Sequence, residues 1–289
     1  MKIKVKSFYH HNTYTWSHLA ICEETKAAVL IDPVLDYVAH NATTSTAFTD
    51  IILDYIKSHK ITLKYIMETH AHADHLTSAA YIQDKSKARI VIGAEITGIQ
   101  ETFKKIFNLS DDFKTNGSQF TRLLINNDVL TFGNCQLQAI HTPGHTGDSM
   151  SYIIDDIIFI GDTLFSPEYG SARCDFPGGS AGELYDSVHK IYSLGSENKL
   201  YLCHDYPPTG RQPQAWFYAH EQMQNNIHLQ LAVSKNAFIQ LRNNRDKQLS
   251  QPQLIIPSIQ VNIAAGRLPK PENNGISYLK VPINTIGSK

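Results

Sequence analysis

No apolar run in this chain approaches the roughly 18–20 residues that a bilayer-spanning helix needs, so no membrane association is expected. Cysteine is scarce. The four in 289 residues (Cys22, Cys135, Cys174, Cys203) form no CxxC pair and no disulfide-scaffold spacing. An excess of charge of either sign is also missing. With a formal net charge of −1, no global field attracts nucleic acid or an acidic membrane surface. The opening Met1-Lys2-Ile3-Lys4-Val5-Lys6 alternates charge with apolar side chains and lacks the continuous apolar stretch of a secretory signal. Reduced thiols and a cytoplasmic location are therefore expected. Internal repeats and low-complexity linkers are absent too.

What is present is a chain long enough to bury a sizeable core, 42% hydrophobic and 18% charged, as in globular proteins. Thr13–Trp16 and Ala27–Ile31 read as early strands, the second closed by Asp32-Pro33. Phe48, Ile51, Ile52, Tyr55 and Ile56 fall on one helical face, with Ser45 or Thr46 as N-cap. Strands are expected at 64–68 and 89–92, a helix through Ile96, Ile99, Phe103, Ile106 and Phe107, and a β-rich block over 122–161. A helix near 182–193 and a buried strand at 200–202 follow. Residues 212–248 look helical and polar, and the tail from Pro252 looks like short strands with Pro and Gly turns. Clustered hairpins argue against a purely parallel sheet. Two mixed sheets with outer helices, an α/β arrangement, fit better than a doubly wound fold.

Chemistry concentrates in turns at strand ends. His70-Ala71-His72-Ala73-Asp74-His75 packs four metal-competent side chains into six positions. His70 and His72, two apart, point to one side of extended backbone. Asp74 and His75 are expected at the start of the following helix, where its dipole favours a carboxylate. Such ligand density marks a metal site. Three further turns contribute candidates: His145 after Pro143-Gly144, Asp162 after the apolar run Ile157–Ile160, and His204 after Leu200–Leu202. A carboxylate at the end of so apolar a run is costly unless paired or metal-bound.

HxHxDH, Pro-Gly-His, Gly-Asp and a final His, in that order, closely resemble the metallo-β-lactamase superfamily over about the first 210 residues. The resemblance implies an αββα sandwich with the metal at one sheet edge, a catalytic domain over 1–210 and a helical and strand extension over 211–289 packed on it. The loop Ser166–Gly179, with Arg173-Cys174-Asp175-Phe176, together with His204-Asp205-Tyr206, looks like the persulfide dioxygenase (ethylmalonic encephalopathy protein-like) branch and like bacterial β-lactamase-like hydrolases tied to sulfide detoxification. That branch implies one Fe(II) per chain held by His70, His145 and Asp162, a two-His-one-carboxylate face. His72, Asp74, His75 and His204 would then orient ligands and waters, or share a second metal with Asp162 bridging. The implied catalytic set is His70, His145, Asp162 and His204. Glutathione persulfide and O2 are the implied substrates, Arg173 and Tyr206 the implied glutathione contacts, and a homodimer the implied assembly. Cys174, beside Arg173, is either a spectator or a sulfur-accepting thiol. Two other readings stay open: a glyoxalase II-type thioesterase with one or two Zn(II), and a non-catalytic metal- or sulfur-binding module.

Overall fold

The structure is a computed structural model describing residues 2–286. The first half of the chain runs β1 (Ile3–His10), β2 (Thr15–Cys22), β3 (Ala27–Ile31), β4 (Val34–Val38), β5 (Thr43–Ser45), α1 (Ala47–Ser58), β6 (Thr62–Met67), β7 (Leu76–Thr77), α2 (Ala79–Ser86), β8 (Arg89–Gly93), α3 (Ile96–Ile106) and β9 (Arg122–Leu124). The second half adds β10 (Val129–Phe132), β11 (Cys135–His141), β12 (Met150–Ile154), β13 (Ile157–Phe159), α4 (Ala181–Tyr192), β14 (Lys199–Tyr201), β15 (Trp216–Tyr218), α5 (Ala219–Asn225), α6 (Lys235–Asp246) and α7 (Ile255–Asn262).

Two six-stranded mixed sheets result, ordered β1-β2-β3-β6-β8-β9 and β10-β11-β12-β13-β14-β15, with a small sheet β5-β4-β7 beside them. In the first sheet β1–β3 pair antiparallel, while β3, β6, β8 and β9 run parallel. The second sheet is antiparallel except between β13 and β14.

Alternation along the strands assigns their faces. Val29 and Ile31 of β3 turn inward with Met67 and Val91 to meet Leu137, Ala139, Tyr152 and Phe159 of the second sheet. Leu30, between them, faces the other way with Ile66 and Ile90, and packs against Ile52, Ile82 and Phe103 of α1–α3. On the far side Ile158 and Leu200 carry Leu184 and Val188 of α4 and Phe238 of α6. Phe238 is fully buried, so truncating it to Ala would cost about 3–5 kcal/mol. The layers are helix, sheet, sheet, helix, as the motif order implies.

Four details depart from expectation. Asp74 and His75 do not start a helix: a two-residue strand, β7, intervenes, and α2 begins at Ala79 after Ser78. Thr46 occupies the N-cap of α1, but its hydroxyl donates to Asp50 Oδ2 (2.8 Å) instead of capping a backbone amide. The segment 212–248 is not all helix, since Trp216–Tyr218 pairs with β14 as the last strand of the second sheet. The tail forms helix α7 and, among the described residues, no strand. There Ile255, Ile259 and Ile263 sit in the core over the first sheet, so tertiary burial overrides the β-branched propensity. Among the described residues no helix is long and apolar enough to cross a membrane.

Candidate metal centre

The strands β3 and β6 run parallel and end together, and the turn carrying the histidines leaves from that edge. Two buried carboxylates hold the turn by its backbone. Asp32 accepts from the Thr69 amide (2.8 Å) and hydroxyl (2.9 Å), and Asp148 accepts from the Ala71 amide (2.9 Å). Asp32, which the sequence marks only as a strand stop, is 1% exposed and thus part of the site's frame. Glycine is required at two approaches. Gly144, at φ +137°, leaves no room for a Cβ, which would fall 2.2 Å from the Leu184 amide nitrogen of α4. At Gly161, φ +52°, a Cβ would fall 2.7 Å from Thr69 Oγ1. Each delivers the next residue, His145 or Asp162, to the same edge.

There the predicted residues converge in two groups. Ligand atoms of His70, His145 and Asp162 lie within 4.8 Å of one another, as do those of His72, Asp74, His75 and His204. Asp162 stands between the groups. Its Oδ2 is 3.9 Å from His70 Nε2 and 3.5 Å from His145 Nε2, and its Oδ1 is 3.5 Å from His204 Nε2.

Each imidazole is anchored through one nitrogen, which leaves the other bare. His70 Nδ1 bonds Thr69 Oγ1 (3.1 Å), His145 Nδ1 donates to the Arg173 carbonyl (2.7 Å), and His204 Nδ1 reaches Thr15 Oγ1 (3.3 Å). His75 Nδ1 meets Asp74 Oδ1 (3.3 Å), and His72 uses Nε2 on Asp32 (3.0 Å). The opposite atoms, His70 Nε2, His72 Nδ1, His75 Nε2 and His204 Nε2, are buried without hydrogen-bond partners, as is Asp162 Oδ1, although His204 Nε2 lies 3.1 Å from Asp74 Oδ2. Buried polar atoms are rarely left so. Bare nitrogens converging on carboxylate oxygens repel unless a cation lies among them, so the donor set fits a metal ion.

Burial, reinforced by the neighbouring imidazoles, holds His70 well below the ordinary range, and burial with His72 brings His75 down to about 4. Both therefore stay neutral, the form that ligates. His72 is the exception. Burial opposes its charge, but the carboxylates of Asp32 and Glu68 outweigh that and raise it well above the usual value. Burial in turn lifts Glu68 to about 6.

Above the metal residues opens a cavity of about 600 Å³, within the usual range for small-molecule sites. Its floor includes Asp74, His145 and Asp162, and its walls Phe165, Phe176 and Leu254. Tyr206 lines it, stacked at 11° on His204 and 4.6 Å from the Tyr169 ring. Burial, with Asp74 and Asp162 nearby, pushes its hydroxyl well above the usual range, so the proton stays on. Arg173 also lines the cavity, but its fork closes on Asp175 (2.6 and 2.8 Å) and its Nη1 on the Ser250 carbonyl (2.6 Å). Cys174 is buried, and burial followed by Asp246 raises its thiol far above the ordinary value, which favours the protonated spectator.

Several residues of the site escape sequence reasoning. Asp32 and Asp148 grip backbone amides, and Arg245 of α6 reaches the same cavity from well beyond the last metal turn at His204. None lies in a spacing pattern, because the partners are remote in sequence. His141, the last residue of β11, bonds through Nε2 to the Gly147 carbonyl (2.9 Å).

Comparison with known proteins agrees with this architecture. Residues 16–204 match the family model described as the metallo-beta-lactamase superfamily. A "Probable metallo-hydrolase" of Burkholderia pseudomallei is 41% identical over 292 residues, covering 98% of this chain and 99% of that protein. "Glyoxylase B2" of Dictyostelium discoideum is 45% identical over 289 residues, covering 99% and 98%. The crystal structure of ETHE1 from Myxococcus xanthus superposes with a TM-score of 0.73 at 28% identity, covering 92% of this chain and all (100%) of that one. The human mitochondrial persulfide dioxygenase ETHE1 is 26% identical over 267 residues, covering 91% and 89%. With the αββα layers, the two-group cluster of His and Asp and the family match in agreement, the chain belongs to the metallo-beta-lactamase superfamily, a family of metal-dependent enzymes.

Proposed function

We propose that the chain is a persulfide dioxygenase that oxidises glutathione persulfide to sulfite with O2, using one Fe(II) held by His70, His145 and Asp162. The balance is GSSH + O2 + H2O → GSH + SO3²⁻ + 2H⁺. The observation that carries the reading is the turn of Asp162 Oδ2 toward both His70 and His145, at 3.9 and 3.5 Å. Two imidazoles and one carboxylate, with a cavity on the open side, are the donor set of non-haem Fe(II) oxygenases. The other group is more self-contained, since Asp74 is met by His204 at 3.1 Å and His75 at 3.3 Å. When bound, the iron supplies redox chemistry with O2 at its open positions.

The chain's own side chains do the rest. Phe165, Phe176, Leu249 and Leu254 give the cavity an apolar wall that limits water around the reacting sulfur. Tyr206, protonated and stacked on His204, offers a hydroxyl donor to the bound peptide. Arg173 has committed three of a guanidinium's five N–H groups to Asp175 and Ser250. Two remain for a carboxylate. Because its carbonyl accepts from His145, any shift of this loop is felt at the ligand. The Arg245 side chain has no hydrogen bond or ion pair among the described residues, and it supplies the cavity with an uncommitted cation. Glutathione carries two carboxylates, which suits that pair.

A second reading has a specific observation behind it. Asp162 Oδ1 faces His204 at 3.5 Å, the placement needed for a carboxylate bridging two metals in a thioesterase. One experiment separates the two. Protein purified without oxygen is given glutathione persulfide while O2 uptake is followed, beside hydrolysis of lactoylglutathione. O2 uptake with about one iron per chain is expected. Thioester hydrolysis with two metals and no O2 use overturns the dioxygenase, and silence on both substrates favours a binding module.

A further inference from the structure

Helix α7 could be mere cover for the first sheet, and Ile255, Ile259 and Ile263 suffice to dock it there. One polar side chain of the helix does something else. Asn262, 3% exposed, donates through Nδ2 to the carbonyls of His72 and His75, both at 2.8 Å. Its Oδ1 accepts from the Thr77 amide at 2.9 Å. All three bonds go to residues 72–77, the stretch that carries three of the candidate ligands. Among the described residues, no other side chain outside that stretch bonds its backbone. Asp32 and Asp148 hold the turn at Thr69 and Ala71, so residues beyond 72 depend on Asn262 and on the short β4–β7 pairing. The task suits a carboxamide, the one small neutral side chain with two donors and an acceptor.

We propose that Asn262 is a positioning residue of the metal centre, through which α7 holds His72, Asp74 and His75 in register with His70, His145 and Asp162. The inference rests on reading the 70–75 turn as part of a metal centre. It makes the C-terminal segment a component of the site: anything that moves the amide moves two ligand carbonyls and the strand after them. By linkage, metal in the turn and docking of α7 favour each other.

The test uses the full chain, stripped with chelator and titrated with Co(II), whose visible absorption reports ligand geometry. Variants are Asn262→Ala, and Gln260→Ala on the same helix. Gln260 bonds Ile256 and Lys280, not the metal turn. Asn262→Ala is expected to weaken Co(II) binding about tenfold or more, as loss of an outer partner does, and to change the spectrum. Gln260→Ala should leave both as they are. A folded Asn262→Ala protein with unchanged affinity and spectrum overturns the proposal. Should that variant not fold, amide exchange on the unmutated chain decides: Co(II) is expected to slow exchange at Thr77 and across α7 more than across α1, and no such difference overturns it. Failure of the unmutated chain to bind Co(II) overturns the metal reading beneath it, a result distinct from failure of the Asn262 role alone.

Discussion

Replacing Asp162 by Ala tests the centre most directly, because this carboxylate stands between the two ligand groups. Its oxygens lie 3.5–3.9 Å from His70, His145 and His204. Without it, three bare imidazole nitrogens face one another with no anion to hold a cation. A metal at 100 times its dissociation constant stabilises a folded protein by about 2.7 kcal/mol. At roughly 2–4 °C per kcal/mol for a chain of this order of size, metal should raise the wild-type melting temperature by about 5–10 °C. In Asp162→Ala that increment should fall to near zero, with metal lost from the purified protein. The assay is a pair of melting curves, with and without added metal, beside elemental analysis. If Asp162 served only to neutralise the imidazoles, the variant's metal-free melting point would drop while its metal increment survived. That outcome, or full metal retention, would refute the assignment.

Four further expectations follow from the same geometry. His18, fully buried between the sheets and bonded to the Leu202 carbonyl (2.8 Å), is brought from 6.5 down to about 4, by burial against the pull of Leu202 and Asp32. A histidine with a lowered folded-state value binds fewer protons when folded. Its stabilisation is therefore complete above pH 6.5 and declines as pH falls toward 4, by up to about 3 kcal/mol; urea midpoints of wild type and His18→Gln should converge in slope below pH 6.5 if this is wrong. Arg245→Ala should raise KM for the glutathione substrate about tenfold with kcat nearly unchanged, the mark of lost uniform binding; an unaltered KM counts against the cation's role. Gly144→Ala forces a Cβ onto the Leu184 amide at a φ of +137°, and should cost more than about 3 kcal/mol by chemical denaturation. Cys174→Ser should keep both metal and turnover, and a large loss of turnover in a folded, metal-loaded protein would restore that thiol as a participant.

Much of this centre was legible because its ligands are local. His70, His72, Asp74 and His75 sit within six positions, Asp162 and His204 each close an apolar run, and His145 follows a Pro-Gly turn, so the strand-end turns read as convergent from the sequence. Side-chain period and Pro-Gly punctuation also sufficed for the layers, since burial of alternate residues is written into the strands themselves. The C-terminal segment was misread for the complementary reason. Ile255, Ile256 and Ile259 look β-branched and strand-like, and only packing against the core over the first sheet makes them a helix face.

The sequence by itself determined which residue types could ligate and that they arrive at strand ends in a fixed order. Tertiary structure alone decided how they divide. It set which oxygen of Asp162 faces which histidine, turned His72 toward Asp32 and Glu68, closed Arg173 on Asp175, and brought Arg245 and Asn262 to the site. Ligand identity is carried by side-chain chemistry along a short stretch. Ligand aim is carried by hydrogen bonds between groups as much as 190 residues apart, and no local pattern encodes those.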